Sequence, residues 1–493
     1  MGSLPALRRF PVLWQLNART TVQRIGDDAT LDDIDDARLD GLIPAETDWL
    51  YLLGVWTTGP AGRAVSRQHP DIRRACEAAL ADLTDEDICG SCFAVTGYRV
   101  HAGLGGDAAL ARFRARLAAR GIRLMLDFVP NHTALDHPWV TEHPEFYVAG
   151  SDDDLAAAPA NWIRPETGDG PRVLAYGRDP YFPGWPDTLQ LDYSSHAVRD
   201  AMTDALVDAA SRADGLRCDM AMLLLPDVFE RTWGRSIEPF WPDALRRVRT
   251  GRPDFVFMAE VYWDREFDLQ QQGFDATYDK RLYDRLVGGD HAGVRGHLHA
   301  EPDCQARSAR FLENHDEPRA ASTFGTGARH RAAAAVTYLT PGVRFFQDGQ
   351  REARQIHVPV HLCRAPDEPD RDDAREFYGA LLGVLADEVV HDGAWELLDP
   401  VPAWEGNHSE ERLIAFTWST AQGELAYIVV VNLADTWSQG YLPLLDPGLA
   451  GRTVSLVDRL GPDRFERAGD DLLRSGLYVD VPPWAHHVFA VDR

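Results

Sequence analysis

A chain of 493 residues with 45% apolar side chains is too long for one ordinary core and too apolar for global disorder. It sets 77 acidic residues against 50 basic ones, a formal net charge of −27. That balance argues against nucleic acid or an anionic membrane as partner, and it is compatible with a neutral substrate.

The N-terminal stretch MGSLPALRRFPVLW has no apolar run long enough for a signal peptide, and nothing later approaches the length of a membrane span. Six cysteines are scattered along the chain, which is not a disulfide framework, so a reducing cytoplasm is expected. Cys89-Gly-Ser-Cys92 is an isolated CxxC without the second pair that zinc requires, and it reads as packing thiols.

In chain order, short β-rich runs fall at 10–17, 48–56, 122–129, 215–219, 255–260, 273–278, 309–314 and 342–348. Helical patterns such as 107–120 and 196–213 lie between them. Eight strand–helix alternations predict an α/β fold, a closed (β/α)8 TIM barrel whose parallel strands are covered on both faces. Residues 133–190, rich in Pro, Asp, Gly and aromatics, read as an excursion after strand 3. Residues 395–493 lose the helical pattern and read as an antiparallel β domain. The expected division is therefore barrel over 1–132 and 191–394, inserted domain over 133–190, and C-terminal β domain over 395–493.

Functional groups of such a barrel sit where its strands end. Strand 3 ends in DFVPNH with Asp127, Asn131 and His132, and strand 4 in GLRCD with Arg217 and Asp219. Strand 5 ends in AE with Glu260, and strand 7 in NHD with His315 and Asp316. Gathering like charges in one mouth costs stability unless function compensates. Arg217 and Asp219, two apart on a strand, share a face. The guanidinium is expected to lower the Asp219 pKa and keep it ionised, as a nucleophile should be. Glu260 closes an apolar run, which is expected to raise its pKa and suit a general acid. An ionised Asp beside a protonatable Glu is the retaining glycosidase arrangement.

These motifs, in this order, resemble the α-amylase family of glycoside hydrolases (glycoside hydrolase family 13) over nearly the whole chain. GYR at 97–99 and LDY at 191–193 are similar to weaker family motifs. The resemblance implies Asp219 as nucleophile, Glu260 as acid/base and Asp316 as the third acid gripping sugar hydroxyls. It implies Arg217 and Asp127 as organisers, His132 and His315 as sugar ligands, and Tyr98 as a stacking aromatic. Arg319 is similar to an arginine that closes the pocket of exo-acting relatives, and a loop salt bridge is its other reading. No cofactor is required by the resemblance, and Asn131 matches a Ca2+ ligand of many relatives. Trp162, Tyr181 and Trp185 are candidate sugar platforms or plain packing.

Departures sit just after the nucleophile. Met220 is unusual there, and Met222 and Leu223 replace a Lys-His pair that grips sugar on the leaving-group side, so linkage and chain length stay open. The expected activity is retaining hydrolysis of maltooligosaccharides or small α-glucosides through a covalent glucosyl-Asp. A transglycosylase or isomerase would use the same intermediate, and a non-catalytic binding or partner subunit is the contrasting class.

Overall fold

The computed structural model describes residues 6–492. Eight parallel strands close into a barrel: β1 Val12–Asn17, β2 Trp49–Leu53, β3 Arg123–Phe128, β4 Gly215–Cys218, β5 Val256–Ala259, β6 Ala276–Tyr278, β7 Ser308–Arg310 and β8 Val343–Gln347. Each pairs with its sequence neighbours, and β8 returns to β1 through Val12↔Arg344 to Gln15↔Gln347. The expected eight strands are thus present in order. Every residue of β2, and of β1 up to Leu16, is buried, as strands packed between a filled barrel and a helix layer must be. The helix at Gly106–Ala119 meets the barrel through Ala109, Leu110, Phe113 and Leu117, one apolar face at helical spacing.

β6 and β7 are shorter than their apolar runs. β7 stops at Arg310, so Asn314 to Asp316 lie in the irregular segment beyond it. The excursion after β3 begins with His132–Ala134, which pairs antiparallel with Thr188–Gln190, and a second small ribbon joins Trp162–Ile163 to Leu174–Ala175. Between β2 and β3 the sequence reading missed another elaboration. Trp56–Thr58 pairs with Val95–Val100, and helices Pro60–Gln68 and Pro70–Ala79 lie between them. Both helices begin with proline and have charged exposed faces, which resemble ordinary barrel helices at the level of pattern.

The C-terminal residues form a six-stranded antiparallel sheet with a three-stranded one beside it. The helix Ala328–Leu339 lies between barrel and sheet, and from Ala332 to Leu339 it is buried on all sides. Its run of alanines keeps that sandwich thin. Trp418, fully buried in the sheet, donates its indole N–H to the Leu339 carbonyl at 2.8 Å and meets Phe10 edge-on at 5.6 Å.

Trp418→Ala should therefore weaken the barrel–sheet contact and lower unfolding stability by about 3–5 kcal/mol. Denaturant unfolding measures this, and a loss below about 1 kcal/mol would contradict the packing role.

Candidate active site

The strand register assembles the charged cluster. β4 pairs with β3 so that Arg217 stands opposite Asp127, and with β5 so that Arg217 stands opposite Met258, two residues before Glu260. Arg217 is fully buried. Its Nη1 lies 3.1 Å from Asp127 Oδ1 and 2.9 Å from Asp219 Oδ1, and its Nη2 lies 2.6 Å from Glu260 Oε2. The aromatic rings of Phe93 and Tyr278 face the same guanidinium at 5.1 and 5.8 Å. Tyr51 donates its hydroxyl to Asp127 Oδ1 at 2.6 Å, and the Trp56 indole N–H fixes the Asp127 carbonyl at 2.8 Å.

Glu260 follows β5 directly. The expected apolar setting is replaced by hydrogen-bond donors. Its Oε2 also accepts the Met220 N–H at 2.8 Å, and its Oε1 accepts the Tyr262 hydroxyl at 2.8 Å. Met220 adopts left-handed backbone angles, φ 42 and ψ 44, which an L residue takes only under constraint. That twist, immediately after Asp219, turns its N–H toward Glu260.

Asp316 reaches the cluster from the segment after β7. Its side chain is 40% exposed, against 7% for Asp219 and 4% for Glu260, so it faces the open side of the cleft. The His315 Nε2 lies 3.0 Å from Asp316 Oδ2, while its Nδ1 meets Gln15 Nε2 at 2.8 Å. A Gln15 N–H donated to Nδ1 leaves the ring proton on Nε2, toward Asp316. His357 bonds the His315 carbonyl at 2.9 Å. His132 hydrogen-bonds the Phe93 carbonyl and lies 5.2 Å from the Trp185 ring.

One guanidinium serves three carboxylates, with a fourth close by. Burial pushes the Asp219 carboxyl well above its ordinary value, with Glu260, Asp127 and Asp316 adding to the rise and Arg217 opposing it. The expected lowering by Arg217 is real but outweighed. Asp316 goes the other way: burial raises it, yet His315 and then Arg217 outweigh burial and hold it at about 2. Burial keeps His132 neutral, with its pKa lowered to about 4.

Tyr98 and Asn131 are held by protein partners, and Arg319 makes the loop ion pair that is its second sequence reading. The Tyr98 hydroxyl bonds the backbone of Val129, and its ring stacks on Phe128 at 5.2 Å and meets Trp56 edge-on, while the half-buried side chain also lines a cavity with His132 and Trp139. Phe93, also half-buried, sets its ring against His315 at 5.4 Å and over the Arg217 guanidinium. Arg319 is 5% exposed, pairs with buried Glu313 at 3.0 Å and donates to the Asp348 carbonyl at 2.9 Å. It shares the wall of a cavity with His315 and Gln15.

Asn131 exchanges two 3.0 Å hydrogen bonds with Gln190, and its own carbonyl accepts from Leu191 N–H and Gln190 Nε2. Calcium needs six to eight oxygens, several of them anionic. An amide oxygen already facing an N–H donor does not fit that ion, and no step is routed through one. Among the described residues, side chains converge at metal-ligating distances in His408–Glu410–Glu411 and Asp458–Asp463–His487, both in the C-terminal β region.

Tyr51, Phe93, Tyr262, Tyr278 and Gln15 escaped the sequence reading. Tyr278 could have been found, since it is the last residue of its barrel strand, whereas Tyr51 lies in the middle of β2. Phe93 could not, because its loop has no periodicity.

The family profile "Alpha amylase, catalytic domain" matches residues 95–277. Alpha-amylase 3 of Dictyoglomus thermophilum is 23% identical over 291 residues, covering 55% of this chain and 55% of that protein. Trehalose synthase of Pimelobacter is 32% identical over 166 residues, covering 29% and 27%. The chain spans about half the length, or less, of the curated relatives it matches. Among solved structures, the maltogenic α-amylase AmyB of Thermotoga neapolitana superposes with a TM-score of 0.68 at 17% identity, over 98% of this chain and 99% of that one, a likeness of fold.

An acid whose pKa rises on folding binds its proton more tightly in the folded state. Stability then falls as pH climbs from the ordinary carboxyl range, about 3.9, through the raised value. Asp219→Asn should accordingly raise stability at pH 7 by about 1–3 kcal/mol, and less near pH 4. Thermal unfolding at the two pH values reads this, and a destabilised variant at pH 7 would contradict the charge balance.

Proposed function

The chain belongs to the α-amylase family of glycoside hydrolases, and from that membership we propose that it cleaves α-glucosidic bonds with retention of configuration. The observation that carries the reading is Arg217 holding Asp219 and Glu260 on its two terminal nitrogens, with Asp316 at the open side. A pyranose entering the cleft would meet Asp219 at its anomeric carbon and Asp316 and His315 at its hydroxyls. Tyr98, which lines a cavity beside His132, would supply the apolar platform for the sugar's C–H face.

In the first step Asp219 attacks the anomeric carbon while Glu260 gives its proton to the departing glycosidic oxygen. A cluster with more carboxylates than cations retains a proton, and the reaction requires that proton on Glu260. Glu260 Oε1, now under the Tyr262 hydroxyl, is the oxygen free of Arg217, so Tyr262 must turn its hydroxyl away or accept from Glu260 for the transfer. In the second step Glu260 takes a proton from water, which attacks the glucosyl-Asp219 ester.

Substrates are maltooligosaccharides or small α-glucosides. Arg319 stiffens the segment carrying Asp316 through Glu313, whose carboxylate also caps the following helix at the Ala320 N–H. On the rim, exposed Tyr181 meets Trp263 edge-on at 4.9 Å, an aromatic pair suited to a leaving-group sugar. All six cysteines are free thiols, which suits a reducing cytoplasm.

A second reading, transfer of the glucosyl group to a sugar hydroxyl, is favoured by the likeness to a trehalose synthase. Products from maltose, maltotriose, sucrose and trehalose, with and without added acceptor, separate the two. Under the hydrolytic reading glucose is released first as the α-anomer, seen by NMR, and Glu260→Gln loses activity by about 10²–10⁴. First release of β-glucose, or full activity in that variant, would sink the assignment. Tyr262→Phe should shift the pH–rate profile while leaving the fold intact, and an unmoved profile would remove Tyr262 from the proton path.

A further inference from the structure

The CxxC of the sequence holds one thiol whose partner lies elsewhere in the chain. Residues 87–89 pair antiparallel with 361–363 around Ile88↔Leu362, through Cys89 N–H to the His361 carbonyl at 2.9 Å and Cys363 N–H to the Asp87 carbonyl at 3.0 Å. Cys89 and Cys363 are therefore diagonal neighbours on one face of this pairing, with Cys89 Sγ donating to the His361 carbonyl at 3.4 Å and Cys363 Sγ to the Asp87 carbonyl at 3.4 Å. Arg19 donates to Cys89 Sγ at 3.3 Å. Both cysteines are partly exposed and line one surface cavity, whose charged walls are Arg19 and Arg63 with Asp27 and Glu86, wide enough to admit a small molecule. Cys92, the CxxC companion, is buried beside Gly54, away from this cavity.

We propose that Cys89 and Cys363 are a reversible dithiol–disulfide site, oxidised by a small-molecule disulfide, whose closure staples together two loops that rim the cleft. The Cys89 thiolate attacks one sulfur of the oxidant and expels a thiolate, leaving a mixed disulfide. Cys363 then loses its proton to solvent and attacks Cys89 Sγ, expelling the second thiolate. The protein gives up two hydrogens, and the oxidant becomes two thiols.

The charge environment fits this division of labour. The neighbouring Cys363 thiol, and Arg19 against the effect of burial, draw the Cys89 thiol down to about 6, while Cys363 is pushed up. Burial raises the thiols of Cys92 and Cys218, and that of Cys76 to about 11, so those three stay protonated and inert. Each loop carries a residue of the cleft. Phe93 lies four positions after Cys89, and His357, which holds the His315 carbonyl, lies six before Cys363. A bond between the loops would fix these two residues relative to each other.

The test uses the full chain and oxidised glutathione as the small-molecule disulfide. Thiol titration should fall from six to four, peptide mapping should join Cys89 to Cys363, and dithiothreitol should restore all six. Cys363→Ser should instead keep glutathione on Cys89, and proteolysis within residues 364–371 should slow in the oxidised wild-type protein. Six retained thiols, a Cys89–Cys92 bond, or unresolved glutathione on wild-type Cys89 would overturn the proposal. The wild-type map decides it even if a variant misfolds.

Discussion

Arg217 is the constraint around which the cleft is organised. A guanidinium with no solvent contact has to be matched by anions, because leaving it unpaired would cost several kcal/mol. Asp127, Asp219 and Glu260 supply that match from three adjacent strands or their ends. The match overshoots, since one positive charge meets three negative ones with Asp316 beside them. The surplus is what makes the site chemically useful. It raises the Asp219 carboxyl and leaves a proton shared within the cluster.

The rest of the mouth holds this arrangement in place. Tyr51 and Trp56 fix Asp127, and the Met220 N–H and Tyr262 hydroxyl fix Glu260. The left-handed twist at Met220 couples the two catalytic strands directly, because the residue after the proposed nucleophile binds the proposed acid. The apolar side chains at 222 and 223 have a packing explanation, while nothing in the structure explains a methionine at the left-handed position 220. Ala221, Met222, Leu223 and Leu224 are buried in a 3-10 turn, so this segment packs as core and offers no polar grip to a sugar.

Much of the barrel is legible in the sequence because fully buried parallel strands appear as short apolar runs, each ending in its polar residues. The Arg217–Asp219 pairing is legible for the same reason, since period two puts both on one face. Charge balance is not legible. Arg217 next to Asp219 looks like a private pair until the register brings Asp127 and Glu260 to the same guanidinium. Long loops hide equally well. The elaboration between β2 and β3 looks like barrel helices, and only its fold brings Phe93 over Arg217 and Cys89 to Cys363. A motif match also says nothing of a side chain's surroundings, as at Tyr98, whose hydroxyl is held by Val129 and whose ring packs on Phe128 and Trp56.

The central claim is that the carboxylate beside Arg217 becomes covalently glycosylated. Incubation with a 5-fluoro-α-glucosyl fluoride, followed by denaturation, digestion and mass spectrometry, tests it most directly. The account predicts one added fluoroglucosyl group, on Asp219 within the peptide GLRCDMAMLLL. An adduct on Glu260 or Asp316, or turnover of the reagent with no adduct ever accumulating, would contradict it.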